Sequence, residues 1–323
     1  RLSRPPPRVS EPGPRVGIVT SAPSPSPVSV TVQFVLTGIV WGSSFLFIAV
    51  ALTGMTPAQV AGGRLLFGAL ALAAVVAIRR ERMPRSPRIW AHLCVLGVTF
   101  CVVPFLLFAW AEQHVSSGLA SIFNATTPIM TAIMAWAVFR VERLRAGQLA
   151  GIALGILGVI VIIAPGALAD LGGSTVAQLA LLGATACYGF SLAYMRRFLG
   201  NAGLSGIAFA FGYIGPAALL MLLLSPLILA EPMTLTPPVI GSIVALGVLG
   251  TGLAYVWNQN TLRAWGPTRA STVTYITPVV GVALGILVLN ERLTWNEPTG
   301  AVIVFLGILL VQERVRFGRR ARA

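Results

Sequence analysis

The sequence predicts an all-α integral membrane protein with ten transmembrane helices, arranged as two inverted five-helix repeats. Three observations support this prediction: apolar stretches long enough to cross a bilayer, arginines that fall on one side of them, and an internal repeat of about 150 residues. Hydrophobic residues make up 56% of the 323-residue chain and charged residues only 10%, against roughly 25% in soluble domains. Water is therefore not the main solvent of this chain.

Ten apolar stretches follow one another from Thr31 onward, each close to the 20 or so helical residues that span a hydrocarbon core of roughly 30 Å. They cover approximately 31–52, 58–78, 89–111, 116–139, 146–164, 175–195, 204–229, 237–258, 268–289 and 297–313. Barrel strands would be about half as long and would alternate polar with apolar residues. These stretches do not alternate, so helices are the structure that satisfies their backbone.

The spans divide the chain into four regions. Residues 1–29 are rich in Pro and Arg without an apolar run, which predicts a disordered cytoplasmic tail rather than a signal peptide. Residues 30–165 and 175–313 each contain five spans and would form the two repeats, and residues 314–323 would form a basic cytoplasmic tail.

The arginines predict the orientation. All 23 basic residues are Arg, and 21 of them fall on the cytoplasmic side if both termini are cytoplasmic. Only Arg292 falls outside, and Arg64 lies within a span. This segregation follows the positive-inside rule and predicts a multi-pass protein of the cytoplasmic membrane. The net charge of +14 is then a topology signal, and no nucleic-acid partner is expected.

The second half of the chain repeats the first at a shift of 150 residues, which becomes 149 after a one-residue deletion. The matched pairs are Leu96-Gly97-Val98 with Leu246-Gly247-Val248, Ala120-Ser121 with Ala270-Ser271, Thr127-Pro128 with Thr277-Pro278, Glu142-Arg143-Leu144 with Glu291-Arg292-Leu293, Gly151 with Gly300, and Leu157-Gly158 with Leu306-Gly307. Because five is odd, the second repeat enters the membrane from the opposite side. Inverted repeats of this kind are a device of secondary transporters.

The chain resembles an EamA-type member of the drug/metabolite transporter superfamily. The resemblance rests on Trp41-Gly42-Ser43-Ser44-Phe45, on Ala120-Ser121 followed by Pro128, on Glu142-Arg143-Leu144 with Gly151 and Gly158, and on the second copies of these motifs, ending in Gly307. It covers about residues 31–313. It implies ten helices, a central cavity lined by both repeats, and export or exchange of small metabolites such as amino acids or related compounds, by alternating access. A channel-like facilitator or a membrane-embedded enzyme is the alternative.

The residue content argues against an enzyme, a cofactor and a metal site. Without lysine, the chain has no residue for a Schiff base or for the phosphate contact of a P-loop. His92 and His114 are far apart, and the three cysteines lack metal-binding spacing. The expected partners are a small-molecule metabolite and the lipid bilayer, with the protein acting as a monomer or a homodimer.

Arg64 is the strongest candidate for binding a substrate. It lies about six residues into the second span, roughly 9 Å deep at 1.5 Å per residue, and a charge at such a depth is costly. It could pair with a substrate carboxylate or phosphate. Alternatively, it could snorkel to the surface or be held by backbone carbonyls or Glu112. Arginine near this position resembles a feature shared by family members with differing substrates, which favours the structural role.

Further candidates lie on the fourth and ninth spans, at positions related by the repeat. Pro128 and Pro278 each remove a backbone hydrogen bond in mid-helix, which could serve gating, and the freed carbonyls with nearby hydroxyls could bind substrate. The hydroxyls could equally bond only to their own helix. The polar candidates are Ser44, Asn124, Thr127, Ser271 and Thr274.

Aromatic side chains complete the candidate site. Trp41, Phe108, Tyr188, Tyr255 and Tyr275 should lie deep enough to line a cavity for an amphipathic substrate, although core packing is the alternative for each. All nine acidic residues fall in the tails, in turns or at helix ends, so no carboxylate is expected at the midplane to carry a proton. The sequence therefore predicts facilitated diffusion or exchange, with Glu112 the one titrating group near the cavity.

Overall fold

The computed structural model describes residues 27–141, 143–169, 173–200, 202–265, 270 and 272–312, and within these ranges all regular structure is helical. The helices of the first half are α1 (Pro27–Ala51), α2 (Pro57–Arg79), α3 (Pro87–Leu96), α4 (Val103–Ala111), α5 (Ser117–Asn124), α6 (Thr127–Ala137) and α7 (Ala146–Ala169). Those of the second half are α8 (Gly173–Phe198), α9 (Gly206–Leu223), α10 (Ser225–Ile228), α11 (Pro237–Val244), α12 (Ala254–Trp265), α13 (Val273–Leu289) and α14 (Asn296–Val311). Both predicted tails lie largely outside the described residues.

Eight helical segments of the described chain are long and apolar enough to cross a membrane. They are Ser29–Ala51, Pro57–Arg79, Pro87–Ala111, Ser117–Ala137, Ala146–Pro165, Ser174–Phe198, Gly206–Leu223 and Pro237–Trp265. Two shorter apolar helices, α13 and α14, occupy the ninth and tenth predicted spans. The protein is thus a multi-pass helical membrane protein, as its hydropathy predicts.

Local sequence sets the ends of several helices. Thr56 begins α2 through a capping box, in which its hydroxyl accepts from the Gln59 backbone N–H while the Gln59 side chain accepts from the Thr56 N–H. The α2 helix ends at Arg80, which adopts a left-handed conformation (φ 51°). Ser116 caps α5 in a similar way by accepting from Leu119 N. These caps accept hydrogen bonds from backbone N–H groups of the first helical turn, which have no partner within the helix.

Two wide helical turns interrupt the third and eighth predicted spans at corresponding positions. The first π-helical turn, π1, covers Gly97–Val102 and joins α3 to α4, and the second, π2, covers Ala245–Leu253 and joins α11 to α12. Insertions of this kind occur frequently at functional sites because they shift the helix register and free carbonyl groups. Their glycines at 97 and 247 are 150 residues apart, which is the spacing of the sequence repeat.

Glycines bring α7 and α14 into close contact. A Cβ added to Gly158 would lie 2.7 Å from Val304 N, and one added to Gly307 would lie 2.7 Å from Gly151 O. Two polar side chains add to this contact: Gln148 donates to Val311 O (3.4 Å) and Asn296 donates to Ile162 O (2.7 Å). Gly151 and the glycines that share this contact therefore serve packing between helices of the same chain.

The remaining long helices surround a central space. The α1 helix packs along α12 and α13, α2 packs against π2 and α9, and α8 packs against α4 and α6. Close approach of α1 to α13 depends on Gly42, where an added Cβ would lie 2.8 Å from Thr277 O. Elements of both halves therefore face the same interior space.

Candidate functional site

A cavity of about 160 Å³ lies between the two halves of the chain. It is bounded by α1, α2, π1, α4, α5, α6, α8, α12 and α13, through the side chains of Trp41, Ser44, Phe45, Ile48, Arg64, Phe100, Phe105, Phe108, Asn124, Thr127, Tyr188, Leu192, Tyr255, Thr274 and Thr277. Among the residues that the structure describes, the lining contains one cation and no carboxylate. The cavity is therefore suited to an anionic or zwitterionic ligand with an apolar portion.

Arg64 reaches this cavity from α2. Its Nε donates to Thr251 Oγ1 (3.1 Å), and its guanidinium carbon lies 3.8 Å from the centroid of the Phe105 ring. The wide turn of π2 positions Thr251, whose hydroxyl donates to Leu246 O, five residues earlier (3.2 Å). Among the described residues, that bond through Nε is the only hydrogen bond of the guanidinium, so its two terminal nitrogens remain for a ligand.

Trp41 on α1 makes another contact with π2. Its indole Nε1 donates to Gly250 O (3.0 Å), a carbonyl within π2. The ring also meets Tyr255 edge to face, with centroids 5.7 Å apart. One turn thus orients both the cation through Thr251 and an aromatic wall through Gly250.

The aromatic side chains form a connected wall. Phe45 meets Phe108 edge to face at 5.7 Å, and Phe108 stacks on Tyr188 at 6.0 Å. Phe100, which belongs to π1, meets Tyr188 at 5.3 Å. The arrangement leaves ring faces and edges for an apolar ligand group.

Hydroxyl and amide groups of α5, α6 and α13 also line the cavity. The carbonyl that Pro128 leaves without an N–H donor is that of Asn124, and the Thr127 hydroxyl donates to it (2.7 Å). On α13, the Thr277 hydroxyl donates to Val273 O (3.2 Å). The Thr277 hydroxyl thus bonds to its own helix and the Thr127 hydroxyl bonds across the break between α5 and α6, while both residues still line the cavity and their oxygens can act as acceptors.

The structure brings most of the predicted site residues together. Nine of them line the cavity: Trp41, Ser44, Arg64, Phe108, Asn124, Thr127, Tyr188, Tyr255 and Thr274. Ser271 lies outside the described residues. Sequence reasoning did not place Phe100, Leu192 or Thr251 in the site. The Gly-rich run around Thr251 was the one signal available, since glycine permits close approach of another helix.

Tyr275 faces a different space. It lines an apolar groove of about 540 Å³ between α5, α13 and α14, where its hydroxyl donates to the Gln312 side chain and its ring meets Phe305. The groove is open at the lipid-facing surface, because Val279 is 69% exposed. Pro278 lies in the same groove, within a continuous α13. Pro128, in contrast, begins α6 after a break in the fourth span at residues 125–126.

The two halves also contact each other at the N-terminus of α5, about two helical turns from the cavity residue Asn124. The carboxylate of Glu291, in the connection between α13 and α14, accepts from Ser117 N (2.7 Å) and Gly118 N (2.9 Å) at the N-terminus of α5. Gly285 makes room for it, since a Cβ there would lie 2.2 Å from Glu291 Oε2. An anion at a helix N-terminus is favourable because it satisfies free N–H groups and opposes the helix dipole.

Comparison with known proteins gives consistent matches over both halves. The sequence model of the EamA-like transporter family matches residues 29–164 and again 175–312. A probable amino-acid metabolite efflux pump from Salmonella typhimurium is 29% identical over 297 residues, covering 88% of this chain and 95% of that protein. A probable terminal-alkyne amino-acid exporter from Streptantibioticus cattleyicolor is 28% identical, covering 90% of this chain and 95% of that protein.

One more relative and one solved structure are also similar to the chain. The uncharacterized inner membrane transporter YedA of Escherichia coli is 27% identical, covering 84% of this chain and 87% of that protein. A crystal structure of a protein with 18% identity superposes with a TM-score of 0.63, covering 89% of this chain and 99% of that chain. That likeness shows a shared fold.

Proposed function

The chain belongs to the EamA-like transporter family and is a membrane transporter, not an enzyme, and we propose that it exports small carboxylates of the amino-acid class. The proposal rests on one observation: within the described part of the chain, a single guanidinium, that of Arg64, lines a cavity whose walls carry no carboxylate. Fixed cations in apolar cavities recognise anionic groups because little water competes for them.

The cavity supplies a complement to each part of such a substrate. The terminal nitrogens of Arg64 would hold the carboxylate through charge-assisted hydrogen bonds. The wall of Phe100, Phe108 and Tyr188 would take an apolar side chain. Acceptor oxygens of Thr127 and Thr277 would receive an ammonium group. The names of two relatives, an amino-acid metabolite efflux pump and an alkyne amino-acid exporter, support this substrate class and the direction of transport.

Transport would proceed by alternating access between two inverted repeats of five helices, with both termini in the cytoplasm. Several features of the structure support the repeat. Gly97 in π1 and Gly247 in π2 are 150 residues apart, as are the left-handed residues Arg140 (φ 52°) and Asn290 (φ 56°). With this orientation, the contact between Glu291 and α5 closes the external side, and exchange of conformations between the repeats would open it.

Facilitated diffusion or exchange is the proposed energetic mode, because none of the described residues that line the cavity is acidic and could carry a coupling proton with the substrate. The experiment is counterflow in proteoliposomes. Vesicles preloaded with unlabelled L-phenylalanine should accumulate external labelled L-phenylalanine transiently and with saturation. Unsaturated uptake would indicate a channel. No uptake of phenylalanine or of any other neutral amino acid would refute the substrate class.

A further inference from the structure

Glu112 is a partly exposed acidic residue whose carboxylate group is turned into the protein, and the transport scheme above does not use it. It follows Ala111, the last residue of α4, and its backbone N–H donates to Phe108 O (2.9 Å), one turn from the cavity wall. Both carboxylate oxygens are buried, and neither has a hydrogen-bond partner among the described residues. An ionised carboxylate is very costly in such a place, so the environment favours the neutral form.

The groups around Glu112 are of both signs. Glu291, in the connection after α13, and Arg64, on α2, both act on Glu112 through their charges. His114, two residues after Glu112, is exposed, and its Nδ1 lies 3.1 Å from Trp110 O. Burial raises the pKa of the Glu112 carboxyl well above its usual range, the charge of Glu291 raises it further, and Arg64 lowers it in part.

Both carboxylate oxygens of Glu291 are already engaged, because they accept hydrogen bonds from the Ser117 and Gly118 amides. Two neighbouring carboxylates cannot both ionise cheaply away from water, so Glu112 is the member that takes the proton. Among the described residues, Ser117 Oγ is also buried at this contact without a hydrogen-bond partner, so not every polar group of the contact is satisfied.

The ligand that fits Glu112 is a proton rather than a metal ion. A hard metal cation needs several oxygen ligands at once. The oxygens of Glu291 are occupied by amides, the oxygens of Glu112 have no polar neighbour within bonding distance, and the positive Arg64 lies nearby. A proton needs only one acceptor, and it removes the repulsion between the two carboxylates.

We propose that Glu112 is a proton-binding site whose occupancy holds the Glu291 end of the cavity closed. The proposal rests on the alternating-access function given above. When Glu112 loses its proton, its charge faces that of Glu291 in a buried space, and the contact between Glu291 and α5 loosens. Opening admits water to Glu112 and relieves the repulsion. The proton enters and leaves at the same end, so it regulates transport without being carried across.

The sign of the pH dependence follows from linkage. In the closed state the pKa of Glu112 is raised, whereas in the opened state it should be near the ordinary value of about 4.3. Closure is therefore fully favoured below the open-state value and is lost as the pH rises toward the closed-state value. Between the two values, the ratio of closed to open protein falls tenfold for each pH unit.

The first test is counterflow of L-phenylalanine between about pH 5 and pH 7, with the same pH on both sides, where the probe keeps its charges. The wild-type rate should rise by up to tenfold per pH unit until another step limits it. Glu112→Gln imitates the protonated form, so its rate should be low and independent of pH. Glu231→Gln, at an exposed position, should behave as the wild type. A pH response that survives in Glu112→Gln would overturn the proposal.

A second measurement needs no substrate and so separates the two proposals. Spin labels at exposed positions 114 and 292, introduced as His114→Cys and Arg292→Cys with the native cysteines replaced, report the distance across this end. Longer distances should become populated as the pH rises, and Glu112→Gln should abolish that change. An absent or unaltered change refutes the proton site even if counterflow succeeds. Opening caused by sodium at constant pH would refute the proton in favour of a metal cation.

Discussion

Replacing Arg64 with Gln should weaken the binding of carboxylate substrates while leaving the protein folded. The side chain makes one hydrogen bond to Thr251 and covers the Phe105 ring. Hydrogen bonds to a charged group contribute about 1.5–3 kcal/mol each. Loss of one such bond to a substrate carboxylate therefore corresponds to an increase of about 10- to 150-fold in KM for counterflow, at 1.4 kcal/mol per tenfold.

The assay compares two competitors of labelled L-phenylalanine that differ only at the carboxyl group. Unlabelled L-phenylalanine carries the carboxylate, whereas L-phenylalaninamide does not. In the wild type the acid should inhibit far better than the amide, and in Arg64→Gln this preference should disappear. Thr251→Val is the matched control: it removes the partner of Nε but keeps the cation, so the preference should remain.

Two results would refute the role given to Arg64. If Arg64→Gln weakens the acid and the amide equally, the guanidinium does not contact the carboxylate. If the variant loses its cooperative thermal transition in detergent, Arg64 is a structural residue held by Thr251 and Phe105. Thr251→Val should itself cost only about 0.5–1.5 kcal/mol, the usual contribution of a neutral hydrogen bond.

Two other predictions concern packing and closure. Gly158→Val should lower the thermal stability by about 1–3 kcal/mol or more through overpacking, because the added atoms meet the backbone of α14. Gly147→Ala is the control and should not destabilise the protein, because an added Cβ there has nothing within 4 Å. Equal melting temperatures for the two variants would contradict the close helix contact. Glu291→Ala should speed hydrogen–deuterium exchange at the Ser117 and Gly118 amides by about 10- to 150-fold. Each amide loses a hydrogen bond to a charged acceptor, which contributes about 1.5–3 kcal/mol. Unchanged protection of these amides would show that the contact is absent in solution.

The sequence was most informative where composition alone decides the structure. Long apolar stretches must form helices in lipid, so the helical class and most of the span positions could be predicted. A depth argument placed Arg64 near the cavity, and the repeat placed Asn124, Thr127 and Thr274 there. These residues line the cavity in the structure.

The wide turns π1 and π2 could not be predicted. Each changes the hydrogen-bond register within an apolar helix, and such a change leaves no trace in hydropathy. The contribution of Thr251 was missed for this reason, since a hydroxyl in a membrane helix ordinarily bonds only to its own backbone. Here the shifted register lets one hydroxyl both donate to Leu246 O and accept from Arg64.

The orientation of single side chains around a helix was also beyond sequence reasoning. Thr274 and Thr277 are three residues apart and face the cavity together, whereas Tyr275 is rotated by about 100° from Thr274 and faces α14 instead. Aromatic character alone could not distinguish these two faces. The cavity face of α13 carries Thr274 and Thr277, whereas its other face lines the apolar groove.

The most direct test of the proposed transport path is to fill the cavity and measure counterflow. Asn124→Trp places an indole in a space of about 160 Å³, whereas Val279→Trp places the same group in the lipid-facing groove as a matched control. Both variants should purify as folded protein with wild-type thermal transitions. We expect Asn124→Trp to abolish counterflow of L-phenylalanine and Val279→Trp to retain it. Wild-type counterflow in Asn124→Trp would show that the substrate does not pass through this cavity.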